Sequence, residues 1–242
     1  MVRGATVESS EWTAEVFFDG MSEGYGAAIE RCVPRYREML LQILRCVPEG
    51  GERRDVLELG CGSGNLSALA RGRFPEARIH LVDISARALK ACGHRFSGDE
   101  RFTFEKTDFK KLLRPRGSSD LVLSSIALHH LPDVEKAALF GKVHEWLRPG
   151  GLFVYSDQFA GATEEVTQKN LRDWKKEATA LGATEAEWDA WMAHQKAHDH
   201  HAPLGRQMEW LGKAGFPVVD CPWRYLLWTV LMAHREDPGK PG

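Results

Sequence analysis

The chain predicts an α/β protein built on a doubly wound, mostly parallel sheet, and three observations carry that expectation. Between Val56 and Ser67 it reads VLELGCGSGNLS, an apolar strand running into glycines spaced G-x-G-x-G and then into a helical pattern. Downstream, RIHLVDIS closes a second apolar run on Asp83, where an acid at a strand end can accept hydrogen bonds from ribose hydroxyls. Beyond it, short apolar runs keep alternating with helical patterns, which places helices on both faces of a parallel sheet.

The elements follow in order. Strands are expected near 55–59, 78–82, 102–105, 119–124 and 152–157, with helices near 64–72, 85–96 and 133–147. Ahead of the first strand, Pro34 marks a helix start, with Tyr36, Met39, Leu40, Ile43 and Leu44 as its apolar positions. After the fifth strand, Val166, Leu171, Trp174, Ala178 and Leu181 recur at helical spacing, followed by Trp188, Trp191 and Met192. Gly182 ends the first of these helices, and Thr184 with Glu187 forms a capping box opening the second. A last helix runs from Leu204 to Ala214 and stops at Gly215, and the strand-like runs PVVDC and WRYLLWTVLMAH close the chain. The expected organisation is an N-terminal helical segment (1–50), a cofactor-binding core (51–160), a helical cap (161–202), the last helix and closing strands (203–236) and a disordered tail (237–242). The cap is expected over the carboxyl ends of the strands, where open α/β sheets bind ligands.

Composition narrows the class. The 242 residues are 43% hydrophobic, enough for a substantial core. No apolar run approaches the ~20 residues that span a bilayer, and the N-terminus lacks a charged-then-apolar signal pattern. Five cysteines, scattered and without C-x-x-C spacing, read as reduced thiols of a cytoplasmic protein. A net charge of −2 gives no global basic field, so a small-molecule substrate is expected rather than nucleic acid, while a homodimer stays open.

The glycine bend also selects its ligand. A dinucleotide fingerprint needs G-x-G-x-x-G, but the third glycine position holds Asn65, and Glu58 would set a negative charge beside the phosphates. A ligand with a sulfonium, an ammonium and a ribose suits those residues better. The stretch resembles motif I of the class I S-adenosylmethionine-dependent methyltransferases. The resemblance continues in order through LVDIS, EKTDFKKL, DLVLSSIALHHL and LRPGGLFVYSD, covering roughly residues 55–157. It implies a Rossmann-like, seven-stranded sheet completed by a closing antiparallel pair, with S-adenosylmethionine as cofactor. It also implies cofactor contacts from Glu58, Gly60, Cys61, Gly62 and Gly64, a ribose contact from Asp83 with Ile84 beside it, adenine contacts from Asp108 and Phe109, and contacts from Ser125 and Ile126. The outer parts loosely resemble the carboxy-S-adenosylmethionine synthases through a VPxY element. That implies Tyr36 against the methionine end of the cofactor, with simple helix packing as the other reading. The arginine with which those enzymes hold a carboxylate has no match in MEWLGKAGF, where only Arg206 is near.

Methyl transfer from a sulfonium is an in-line displacement of an already activated group, so proximity supplies much of the acceleration and a base is needed only when the acceptor must lose a proton. His129 and His130, after the fourth strand, are the candidate catalytic residues. The run HDHH offers His198, Asp199 and His201 as metal ligands, against a polar linker; no metal is assigned. Trp174, Trp188, Trp191 and Trp210 are core residues, with one or two left to line an acceptor pocket. The leading function is methyl transfer to a small molecule. The alternatives are modification of S-adenosylmethionine itself, a non-catalytic module that binds it, and a nicotinamide-dependent dehydrogenase.

Overall fold

A computed structural model describes residues 25–49, 53–237 and 239; the expectations placed on 1–24 and on most of the tail lie outside the described residues. Strand β1 (Asp55–Leu59) runs through the middle of a seven-stranded sheet. Its neighbours are β2 (Arg78–Asp83), followed outward by β3 (Phe102–Lys106), and on the other side β4 (Ser119–Ser125) and β5 (Leu147–Gln158). These five are parallel. Beyond β5 come β7 (Trp228–His234) and then β6 (Val218–Tyr225), each antiparallel to its neighbour, giving the order β3-β2-β1-β4-β5-β7-β6.

Side chains alternate between two cores, as the period of two in a strand requires. On β1, Val56 belongs to one core and Leu57 and Leu59 to the other; on β5, Leu152 and Val154 divide from Phe153 and Tyr155 in the same way. The first core is covered by α1 (Tyr25–Cys32), α2 (Tyr36–Arg45), α3 (Asn65–Arg73) and α4 (Ala86–Arg95). The second is covered by α5 (Asp133–Trp146) and α8 (Leu204–Lys213).

The remaining two helices, α6 (Glu164–Ala180) and α7 (Glu185–His198), lie between β5 and α8 in sequence, and the expected capping box of Thr184 and Glu187 is present. Their apolar face closes on the first core. The Trp174 ring meets Trp188 at 4.7 Å, Trp228 at 5.4 Å and Trp191 at 6.0 Å between centroids. Its Nε1 donates to the Cys32 carbonyl at 2.5 Å, which ties α6 to the end of α1.

Three boundaries differ from the sequence expectation. Pro34 does not open a helix: it lies between α1 and α2, and Arg35 takes a left-handed φ of 59° before α2 begins at Tyr36. Strand β5 begins early because Leu147 pairs with Ser119 before Arg148–Gly151 bulges out and the ladder resumes at Leu152. The closing run does not split at Pro222. Strand β6 passes through Cys221 and Pro222 at a register shift, where a missing N–H is tolerated, and the chain reverses at Leu226, whose φ is 53°.

Trp174 is fully buried among three other indoles. Trp174→Ala is expected to cost about 3–5 kcal/mol of folding stability, read from the midpoint of chemical denaturation.

Candidate active site

The bend after β1 is tied closely to its neighbours. The N–H groups of Gly60 and Cys61 both donate to the Val82 carbonyl, at 2.8 and 3.1 Å, so the bend is pinned to β2. A Cβ on Gly60 would lie 2.4 Å from that of Ala127, and φ there is 68°; both facts require glycine. Gly62 has a φ of 51° but nothing within 4 Å of a built Cβ, because that side faces an open cavity. The Asp83 carboxylate completes the arrangement, accepting from Gly62 N at 2.8 Å and from Ser85 N at 2.9 Å.

The cavity has a volume of about 250 Å³. It brings together nearly all the expected cofactor residues: Tyr36, Glu58, Gly60, Cys61, Gly62, Asp83, Ile84, Asp108, Phe109 and Ser125 all line it. Gly64 does not. It packs beneath α4, where a Cβ would meet Phe96 at 2.8 Å and Cys92 Sγ at 3.0 Å. Asn65, which stands at the third glycine position, also lines the cavity, as do Ile29, Arg87 and Leu131, which carried no signal in the sequence. The lining residues include none from α6 or α7.

Glu58 lies buried beneath the bend and accepts from Ser67 Oγ at 2.6 Å. Burial, with the negative charge of Asp83 adding to it, pushes its carboxyl up to about 8 despite the serine hydrogen bond. Tyr36 Oη accepts from Asn65 Nδ2 at 3.1 Å, and burial raises the phenol to about 12. Asp108 accepts from Lys110 N at 2.9 Å, so its carboxylate caps a turn as well as facing the cavity. Past Ser125, whose Oγ lies 3.0 Å from Ser156 Oγ, Ile126 adopts a left-handed φ of 53°. That conformation is costly for a β-branched residue and typical of functional bends.

The two candidate histidines part company within a single 3₁₀ turn, Leu128–His130. His130 lines the cavity; His129 is absent from the lining and turns to the opposite face. There His129 Nδ1 sits 2.5 Å from Asp157 Oδ1, and its N–H donates to Asp157 Oδ2 at 2.9 Å. Burial alone would lower the His129 pKa, but the carboxylates of Asp157 and Asp199 outweigh it and hold the imidazole above its usual range. For His130, burial and the neighbouring His129 charge win, and the ring falls to about 4. Asp199 of the HDHH run reaches this turn, 3.2 Å from His130 Nδ1, while His201 and His194 approach it at 3.6 Å each. His198 stands apart, its ring tilted against that of His194 at 5.0 Å between centroids. Asp157 and His194 were missed in the sequence. The available signals were a polar Ser-Asp-Gln end on an apolar strand and a histidine one helical turn before His198.

Comparison with known proteins accords with this geometry. A family described as a methyltransferase domain matches residues 56–151, the span from the first strand to the start of the buried part of β5. An uncharacterised methyltransferase of Geobacillus kaustophilus is 29% identical over 167 residues, 64% of this chain and 75% of that protein. The crystal structure of an S-adenosylmethionine-dependent methyltransferase from Mesorhizobium loti is 26% identical, superposes with a TM-score of 0.58 and covers 81% of this chain and 98% of its own. The chain carries a methyltransferase domain of the class I S-adenosylmethionine-dependent type. Another relative, the trans-aconitate 2-methyltransferase of Deinococcus radiodurans, is 33% identical, but the match spans only about half of each protein, 53% and 51%.

In this methyltransferase the cavity residues suit the family's cofactor. The Asp83 carboxylate beside the bend disfavours a pyrophosphate and favours a sulfonium and an ammonium. The open side of Gly62 leaves room for a ligand against the backbone. Among the described residues no helix is long and apolar enough to cross a membrane.

Glu58 makes a pH prediction. Its carboxyl takes up a proton in the folded, ligand-free protein at a higher pH than in the unfolded chain, so folding binds protons between about pH 4.5 and 8. The melting temperature of the ligand-free protein is therefore expected to carry a contribution that falls as pH rises through that window. Glu58→Gln should flatten that contribution, measured by calorimetric scans at stepped pH.

Proposed function

We propose that this methyltransferase transfers the methyl group of S-adenosylmethionine to a small-molecule acceptor presented beside His130. The observation that carries this reading is the lining of the cavity. The expected cofactor residues occupy its walls, and Ser125, Ile126, His130 and Leu131 form its other end, after β4. The bound cofactor supplies a methyl group already activated on a positively charged sulfur. The chain's own part is to hold and orient. Asp83 fixes the bend and accepts from ribose, Glu58 sits under the bend, Phe109 walls the adenine side, and Tyr36 closes the methionine side. Proximity and orientation then account for most of the acceleration. His130, neutral at pH 7, presents an uncharged ring to the acceptor without repelling a cationic donor. His129 acts through His130 as a positioning residue, locked by Asp157.

The named relatives support an acceptor of modest size. One is a trans-aconitate 2-methyltransferase and another a phosphoethanolamine N-methyltransferase. The net charge of −2 supports it too, since a polyanionic nucleic acid would find no broad basic field. The free cysteines fit a cytoplasmic setting.

Production of S-adenosylhomocysteine across a panel of small acids, amines and phenols tests the reading. Turnover with one class supports it, whereas tight cofactor binding without turnover on any acceptor would favour a non-catalytic binding module. Asp83→Ala is expected to weaken S-adenosylhomocysteine binding by about 1–3 kcal/mol, through lost hydrogen bonds and a loosened bend, as read by calorimetry. Gly62→Val should cost more affinity than this, because its side chain would enter the cavity from a backbone held at positive φ.

A further inference from the structure

On the far side of the His129–His130 turn lie Asp199, His194 and His201, three side chains that methyl transfer does not use. The Asp199 side chain is 3% exposed and surrounded by imidazoles. Its Oδ1 faces His130 Nδ1 at 3.2 Å, His194 Nε2 at 3.6 Å and His129 Nε2 at 3.7 Å, and its Oδ2 faces His201 Nε2 at 3.6 Å. Three imidazole nitrogens thus converge on a single carboxylate oxygen, a donor set that suits a bound cation. A cation among them satisfies the oxygen and the nitrogen lone pairs together.

A second observation concerns orientation. Metal-binding histidines characteristically donate their other ring nitrogen to a carboxylate, which fixes the tautomer and aims the free lone pair. His129 has that arrangement. Its Nδ1 is held by Asp157, and Asp157 is itself fixed by the backbone N–H groups of His129 and Gln158. The remaining nitrogen, Nε2, is the one that faces Asp199. Donor atoms of His129, His130 and Asp199 all lie within 4.8 Å of one another. The loop that carries Asp199 is anchored to the same turn, with His200 N donating to the His129 carbonyl at 2.7 Å and Lys136 Nζ donating to the His200 carbonyl.

We infer that His129, His130 and Asp199 form a binding site for a divalent transition-metal ion, with His194 or His201 completing its coordination. Two imidazoles and one carboxylate select a borderline ion such as Zn²⁺, Fe²⁺ or Co²⁺ over the oxygen-preferring Mg²⁺ or Ca²⁺. The site differs from the HDHH run read from sequence: it takes Asp199 from that run, gains both histidines of the post-β4 turn and leaves out His198. It joins the end of α7 to the core, and through His130 it abuts the acceptor end of the cavity.

The test uses the full chain stripped with a chelator and titrated with Co²⁺, followed by visible absorption and calorimetry, and then by Zn²⁺ competition. One Co²⁺ per chain is expected, with a ligand-field band free of thiolate character, displacement by Zn²⁺ and a raised melting temperature. His130→Ala and Asp199→Asn should each lower affinity at least about tenfold, and Asp157→Asn, which removes only the orienting carboxylate, by about 10–100-fold. The inference is overturned if the folded wild-type chain takes up no Co²⁺, or if uptake is unchanged in both His130→Ala and Asp199→Asn. Titration of the same samples with S-adenosylhomocysteine keeps the cofactor reading separate, since that ligand contacts the other walls of the cavity.

Discussion

The Asp83 carboxylate, at the end of β2, accepts both the Gly62 and the Ser85 N–H groups, so the bend after β1 and the start of α4 behave as one piece. A peptide bend of three alternating glycines has many conformations open to it, and ordering it costs entropy. The acid narrows that choice with two charge-assisted hydrogen bonds, and the Val82 carbonyl narrows it further by taking Gly60 and Cys61 N–H. The same carboxylate remains at the cavity surface. A ligand hydroxyl that meets it meets a group already oriented by the fold.

The sheet separates two acidic environments that would otherwise interfere. Residue alternation sends Glu58 toward α3, where it is buried against Ser67 and held protonated well above the usual carboxylate range. Asp157, on β5, points to the other face. There burial would raise its pKa, but the charge and hydrogen bond of His129, the Gln158 N–H and Lys136 together outweigh it and keep the pKa low. One acid is thus largely protonated in the ligand-free protein near neutral pH, and the other is a fixed anion already paired. A strand slip of one residue would exchange the two faces and destroy both arrangements.

Most of the sheet could be read from the chain because its signals are local. The five parallel strands, the three core helices after them and the capped pair α6 and α7 all show in runs of apolar residues and caps. The glycine bend and Asp83 were legible for the same reason, since only a few residue types permit that geometry. The misreadings came where local chemistry gave no cue. Leu226 turns a hairpin with no glycine or asparagine to mark it, and Arg35 breaks two helices apart with a left-handed backbone that its side chain does not announce. The histidine cluster was only half visible, because Asp157, His129, His194 and Asp199 meet through tertiary packing alone.

Ile29 and Tyr36 form part of the cavity wall, yet they belong to helices that precede the sheet and contribute no strand to it. Occupancy of the binding space and docking of this leading segment therefore share one free energy. Whatever fills the space tightens the segment, and whatever loosens the segment weakens the grip on what is inside. Resistance of the stretch around Arg35 to proteolytic cutting thus becomes a gauge of saturation, legible without any chemistry taking place.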